Sequence, residues 1–145
     1  MRKIYVAAHV SMILGLVSGL YYRELTKLND FTGDTQLSVV HTHILALGML
    51  FFLIVLALEK AFALTEGKLF AQFFWIYNGG LALTAGAMLV RGTLTVLGHS
   101  TGAAFDGVAG LGHIVLTVGL VLFFINLGKR IPSSSDKAKE SVSAN

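Results

Sequence analysis

Four long apolar runs, separated by short polar segments, dominate the pattern of hydrophobic and polar positions along the chain. They cover about residues 4–22, 38–60, 69–90 and 104–128. The apolar positions are continuous rather than alternating, and the runs are too long for strands. At about 1.5 Å per residue, each run can cross a hydrocarbon core roughly 30 Å thick. The pattern predicts an all-α fold, an integral membrane four-helix bundle formed by residues 1–130.

Composition and charge strengthen this prediction and give it a direction. Apolar residues make up 54% of the chain and charged residues only 13%, against roughly 25% charged in soluble domains. Eight of the eleven Lys and Arg residues lie at the N-terminus, in the 59–68 loop and after residue 128. The positive-inside rule therefore predicts a multi-pass protein of the bacterial cell membrane with both termini cytoplasmic. Residues 131–145 are polar and lack aromatics, which predicts a disordered cytoplasmic tail.

Two global features limit the classes of function. The basic isoelectric point, near 9.3, follows from the cytoplasmic charge bias, so the lipid bilayer is the expected partner and no nucleic acid is needed to explain it. Cysteine is absent. This excludes disulfides, iron–sulfur clusters, thiolate metal ligands and covalently attached c-type haem.

Histidine is the residue type that points to chemistry. Of the five histidines, four lie within predicted spans, where ionisable residues are rare and raise a functional hypothesis by default. These four are His9, His41, His43 and His113. The fifth, His99, falls in the link after the third span, where exposure or capping is the default and a ligand role in a metal site is the alternative.

Depth and spacing suggest how the histidines pair. Counting from the predicted helix midpoints at about 1.5 Å per residue, His41, His43 and His113 lie roughly 10, 7 and 4–5 Å outward, and His9 about 6 Å inward. His41 and His43 are two positions apart, about 200° around a helix, so they face opposite sides and cannot easily chelate one small ion. Each can instead face another helix. A histidine on each of two facing helices is how b-type haem is ligated.

Other residues have plausible but less specific roles. Arg91, at the outer end of the third span, is placed to pair with haem propionates, or simply to extend its side chain to the interface. His9 can ligate iron or hydrogen-bond to Asn78, which falls at comparable depth. Gly48 and Gly110 are expected to leave room beside a porphyrin. No residue is assigned a catalytic role.

The segment His41-Thr42-His43 resembles the His-x-His helix of the haem–copper oxidase catalytic subunit. That resemblance implies that His41 corresponds to the ligand of an oxygen-reducing haem and His43 to the ligand of a low-spin haem. The whole chain also resembles a family of small, uncharacterised four-helix bacterial membrane proteins grouped with that subunit. The three further histidines of the oxidase copper site are not found, so oxygen reduction is not expected. The oxidase subunit has a pseudo-threefold arrangement of four-helix arcs, and a homotrimer of this chain would look similar. The resemblance therefore implies a homo-oligomer, expected as a trimer or dimer.

The expected function is binding of haem b through His43 or His41 together with His113, for electron transfer or for binding a small gas or redox ligand. Whether any reaction is catalysed stays open. Two alternatives remain: a copper or zinc binding or transport protein, and a structural or accessory protein whose histidines only bond between helices. The absence of a Met or Cys cluster and of histidines at chelating spacing counts against the metal-ion alternative.

Overall fold

The computed structural model describes residues 1–100 and 102–132, and in these residues every regular element is a helix. Four long helices follow in order: α1 (Arg2–Leu28), α2 (Leu37–Phe62), α3 (Phe70–Val96) and α4 (Ala103–Arg130). A single 3-10 turn, Leu64–Glu66, joins α2 to α3. All four helices are long and apolar enough to cross a membrane. The chain is thus a multi-pass membrane protein of the predicted class.

Neighbouring helices run antiparallel, as the residues that meet across each pair show. Residues 2, 62–70 and 130 therefore lie at one end of the bundle, called here the terminal end. The loop 29–36 and residues 97–100 lie at the other end, called the distal end. Helices α2 and α4 both pack on α3, while α1 packs on the far flank of α2. Each helix packs mainly on its neighbours in chain order, so α1 and α4 lie at the two ends of an open arrangement and not in a closed four-fold bundle.

Small residues bring α1 and α2 close together. A Cβ added at Gly48 would lie 2.5 Å from Ser11 Oγ, and one at Gly15 would lie 2.6 Å from the Leu45 side chain. Gly19 lies against the His41 side chain one turn further along. Ser11, Gly15 and Gly19 therefore lie on the face of α1 that packs on α2, as small residues often do in membrane helices.

Helix α2 contains a π-helical stretch immediately after its two histidines. The α-helical turn geometry of Leu37–His43 changes to a π-helix over Ile44–Leu50 and returns to an α-helix at Phe51. Within this stretch the Leu47 carbonyl oxygen accepts a hydrogen bond of 2.8 Å from the hydroxyl of the buried Tyr77 on α3. Departures from α-helical geometry of this kind occur often at functional sites.

Helices α3 and α4 approach through glycines on both sides. A Cβ at Gly80 would lie 2.5 Å from the Leu116 backbone nitrogen, and one at Gly112 would lie 2.6 Å from Thr84 Oγ1. Gly119 lies directly on the Tyr77 backbone. The two helix backbones are therefore in close contact over residues 77–84 of α3 and 112–119 of α4, where side chains contribute little of the spacing between them.

An aromatic cluster holds α2, α3 and α4 together in the terminal half. The Phe51 ring lies 5.4 Å from that of Phe123 on α4 and 4.4 Å from the Tyr77 ring, measured between centroids. Phe73 lies 5.1 Å from Phe123. These rings fill the space between α2 and α4 at this depth. Nearer the distal end no corresponding ring contact links α2 to α4 within the described residues.

The turn at the terminal end is held by polar contacts. The carboxylate of the buried Glu59 accepts hydrogen bonds from the Thr65 backbone N–H, at 2.8 Å, and from the Thr65 hydroxyl. The Asn126 amide donates to the Leu64 carbonyl oxygen at 3.0 Å, and Arg130 forms a 2.6 Å ion pair with Glu66. The C-terminal end of α4 is thereby fixed to the α2–α3 turn.

Two helices continue beyond the limits read from hydropathy. Helix α1 extends past residue 22 to Leu28, and α3 extends past residue 90 to Val96. In α3 the Thr93 and Thr95 hydroxyls donate to the carbonyl oxygens four residues earlier, so these polar side chains are accommodated within the helix. An apolar run ends where the chain leaves the hydrocarbon core, and the helix itself can continue beyond that point. The expected tail, 131–145, lies outside the described residues from residue 133 onward.

Candidate functional site

His43 lies on the flank of α2 that faces away from α1. On α2 the buried Leu37 and Val40 face α3, and His41 faces α1. Successive residues are about 100° apart around the helix. The surface of α2 that faces α3 therefore lies between His41 on one flank and His43 on the other. It is half-buried, at the edge of the space between α2 and α4. The opposite orientation of the two histidines follows directly from their spacing of two.

His113 lies on the flank of α4 that faces the same space. Gly112 is in contact with α3 at Thr84, and His113 is turned about 100° from it. Because α4 runs parallel to α2 and both pack on α3, this rotation points the His113 ring toward the α2 side. The imidazole is exposed. Together the two histidines border an open cleft between α2 and α4, with α3 at its back.

His43 and His113 lie at similar depth along the helix axes. Leu37 lies against Gly92, and Gly112 lies against Thr84. Counting along the antiparallel helices places position 43 opposite about position 86 of α3, and position 113 opposite about position 83. The difference is about three residues, or roughly 4–5 Å along the axis.

The cleft is wider than a direct helix contact. Neighbouring residues of α3 contact the two helices: Gly80 meets α4 and Leu81 meets Gly48 of α2. The two contacts are thus about 100° apart around α3. With about 8–10 Å between packed helices, the axes of α2 and α4 lie roughly 12–15 Å apart. Two imidazoles with a metal ion between them need a gap of this kind rather than helices in contact.

Hydrogen bonds define the tautomer of both rings. His43 Nδ1 lies 2.9 Å from the Val39 carbonyl oxygen, and His113 Nδ1 lies 2.8 Å from that of Ala109. A carbonyl oxygen can only accept, so each Nδ1 carries the proton and donates it. In a neutral imidazole this leaves the Nε2 lone pair available, the arrangement in which metal-ligating histidines are usually held. Both bonds stay within the histidine's own helix, so neither one ties two helices together.

Arg91 lies on α3, the helix at the back of the α2–α4 cleft. It is half-buried on α3, one turn beyond Met88 and two turns beyond Thr84. This places it toward the distal end of the cleft, roughly 7–8 Å along the axis from the level of His43. A guanidinium there is suited to bidentate pairing with a carboxylate.

His41 does not share the cleft with His43. Its ring lies against α1, with its Cγ 3.7 Å from the position of a Cβ on Gly19, and its Nδ1 is buried with no hydrogen-bond partner among the described residues. A single ligand held by α2 and α4 can therefore use His43 but not His41. Gly48 also faces α1, where Ser11 fills its space, so the expectation that it leaves room beside a porphyrin is wrong. Gly110 has nothing within 4 Å of its Cβ position and remains open.

The remaining histidines lie away from the cleft. His9 is exposed on α1 and stacks on Tyr5 at a centroid distance of 5.8 Å. The Asn78 amide, expected as its partner, donates instead to the Phe74 carbonyl oxygen. His99 is exposed in the turn after α3. The structure therefore brings together His43, His113 and Arg91, and separates them from His9, His41 and His99.

A multi-ligand metal-ion centre does not form within the described part of one chain. Among residues 1–100 and 102–132, no three His, Cys, Asp or Glu side chains come together in a group that could hold a metal ion. Copper or zinc binding thus stays a prediction without a three-ligand site in this structure. A ligand held by two axial imidazoles does not require such a cluster.

Two buried hydroxyls near the cleft were missed by sequence reasoning. Tyr77 bonds to the π-helical stretch, and Thr84 Oγ1 is buried without a hydrogen-bond partner among the described residues. Thr84 lies at the back of the cleft, against Gly112. Nothing in the apolar run of α3 distinguishes these two residues from their neighbours, because their role depends on which helix packs against them.

Comparison with known proteins places the chain in a family without assigning it an activity. Residues 1–130 match the family described as "Protein of unknown function (DUF2871)", and the chain belongs to that family. The match agrees with the expected membership of an uncharacterised family and shows no link to the haem–copper oxidases. No curated protein matches the chain. No solved structure matches it either.

Proposed function

We propose that this DUF2871 protein is a membrane protein that binds haem b, and that the imidazoles of His43 and His113 would hold its iron. One observation carries the proposal. Two histidines at similar depth, on two helices whose backbones are separated by a cleft, have Nδ1–H bonded to backbone carbonyls and Nε2 directed away from their own helices. In described residues, no hydrogen bond involves either Nε2. A purely structural role would predict bonds between helices.

The surroundings of the cleft support the proposal. Arg91 lies toward the distal end, where its guanidinium would add positive charge near the propionates, whose negative charge a membrane site must neutralise. The aromatic cluster of Phe51, Tyr77 and Phe123 closes the cleft toward the terminal end. Buried apolar surroundings and imidazole ligands are the means by which a protein sets the reduction potential of haem.

Haem held in this way would supply one-electron redox chemistry. Two imidazoles that both remain bound would favour electron transfer over the binding of a gas. The edge of the group on the open side of the cleft would face lipid or a second subunit. We therefore include a homo-oligomer, dimer or trimer, in the proposal, with both termini on the cytoplasmic side of the bacterial cell membrane.

The test is an absorption spectrum of detergent-purified protein, oxidised and dithionite-reduced, with a pyridine haemochrome assay. We expect one haem per chain and sharp reduced α and β bands. His43→Ala and His113→Ala should each abolish these bands. His41→Ala, from the same helix as His43, and His9→Ala, from α1, are controls and should retain them.

Two results would overturn this assignment. A colourless protein from haem-replete cells that also fails to take up added haemin would refute haem binding. Bands that survive His43→Ala but disappear in His41→Ala would refute the pairing across the α2–α4 cleft. Metal analysis of the same preparation separates haem iron from copper or zinc.

A further inference from the structure

A deep apolar groove lies on the opposite side of α2 from the histidine cleft. It runs between α1 and α3, with α2 as its floor, and encloses about 1080 Å³. Typical small-molecule pockets hold roughly 300–1,000 Å³. Its walls are almost entirely aliphatic and aromatic. Along α1 the lining extends from Arg2 to Tyr21, nearly the full thickness of a hydrocarbon core.

The two ends of the groove differ. At the distal end the Tyr21 hydroxyl and Thr93 Oγ1 are 3.1 Å apart. The Thr93 hydroxyl hydrogen is donated to the Leu89 carbonyl oxygen, so Tyr21 donates to Thr93. This exposed bond links α1 to α3 across the distal end of the groove. The charged side chains of the lining lie at the terminal end, so a bound molecule with a polar head would place its head there.

The terminal end carries the groups that recognise an anionic head. Arg2 and Lys3 both line the groove there and both are exposed. Trp75, 69% exposed, lines the opposite wall, and tryptophan is typical of the membrane–water interface. Deeper in the groove the Asn78 amide donates one hydrogen to the Phe74 carbonyl oxygen and keeps a second for an ester carbonyl.

We propose that the groove is a binding site for one anionic phospholipid, with its phosphate on Arg2 and Lys3 and its acyl chains along the apolar walls. Charge complementarity favours this occupant over a helix of a second copy. A transmembrane helix would bring only apolar side chains to the groove and would leave the two cations without a counter-charge. The site is independent of the haem proposal, since it lies on the other side of α2.

The test measures lipid retention by native mass spectrometry. Delipidated protein is incubated with phosphatidylglycerol or with phosphatidylcholine of the same acyl chains. We expect one phosphatidylglycerol per chain to remain bound, with phosphatidylcholine retained much more weakly. At about fivefold for each cation, Arg2→Gln with Lys3→Gln should lower phosphatidylglycerol affinity about 25-fold. Lys60→Gln with Lys68→Gln removes two cations from the same end but outside the groove, and should leave the affinity within about twofold.

A second pair of variants tests the acyl-chain groove. Ala82 lines the groove, and Gly79, one turn earlier on α3, does not. Ala82→Phe should reduce phosphatidylglycerol retention, while Gly79→Phe, where a Cβ meets nothing within 4 Å, should not. An equal loss of phosphatidylglycerol affinity in the Arg2/Lys3 and Lys60/Lys68 double variants would show unspecific charge attraction and overturn the proposal. So would a dimer that dissociates in Ala82→Phe without any preference for phosphatidylglycerol, because a second copy would then be the occupant.

Discussion

Replacing Gly80 by alanine tests the claim that α3 and α4 are held at backbone contact. The added Cβ would lie 2.5 Å from the Leu116 nitrogen, 2.8 Å from its Cα and 3.0 Å from the Val115 carbonyl carbon. These are backbone atoms of a helix and cannot move individually. Restoring ordinary contact at about 3.5 Å requires the two helices to separate by about 1 Å over this region.

The neighbouring Gly79 provides the control. A Cβ there meets nothing within 4 Å, yet Gly79→Ala changes the same residue type in the same helix. Both substitutions gain about 0.5–1 kcal/mol of helix propensity. This contribution cancels in the difference between the two variants. What remains is the cost of overpacking, typically about 1–3 kcal/mol.

The assay is reversible unfolding in mixed detergent micelles with increasing dodecyl sulfate, followed by circular dichroism. Gly80→Ala should unfold with a free energy about 1–3 kcal/mol below that of Gly79→Ala. Gly79→Ala should equal or slightly exceed the unmodified protein. Equal stability of the two variants would refute the close approach, because it would mean that a methyl group fits between the helices at Gly80.

Two further predictions concern the polar contacts of α2. Tyr77→Phe removes the hydroxyl that donates to Leu47 in the π-helical stretch, and should lower the free energy of unfolding by about 1 kcal/mol in the same assay. Glu59→Gln removes the carboxylate that accepts from the Thr65 N–H and hydroxyl. Hydrogen bonds to a charged group contribute about 1.5–3 kcal/mol, so we expect a loss of about that size, with faster proteolysis in the 62–70 turn.

Matched exposed residues serve as controls for these two variants. Tyr5→Phe removes a hydroxyl from an exposed side chain, and Glu24→Gln neutralises an exposed carboxylate on α1. Both should leave stability unchanged within about 0.5 kcal/mol. A Tyr77→Phe protein as stable as the Tyr5→Phe protein would contradict the role of the hydroxyl. A Glu59→Gln protein with an intact, protease-resistant turn would contradict the role of the carboxylate.

The candidate site was only partly predictable from the chain. Spacing alone showed that His41 and His43 face opposite sides of one helix, and depth counting placed His113 near the level of His43. Which of the two histidines faces α4 could not be read, because it depends on which flank of α2 is covered by α1. The fit of Gly15 and Gly19 against Leu45 and His41 decides this. The same packing explains why Gly48 contacts Ser11 and not the cleft.

The sequence by itself determined the number of spans, their apolar length and the all-helical class. It could do so because, in hydrocarbon, each backbone N–H and carbonyl must be satisfied within its own segment, so an apolar run of this length is a helix whatever its neighbours are. Only the tertiary structure decided the open arrangement of the helices, the π-helical stretch after His43, the α2–α4 cleft and the apolar groove between α1 and α3. These depend on helix-to-helix contacts a few ångströms wide, where one glycine sets how closely two backbones approach.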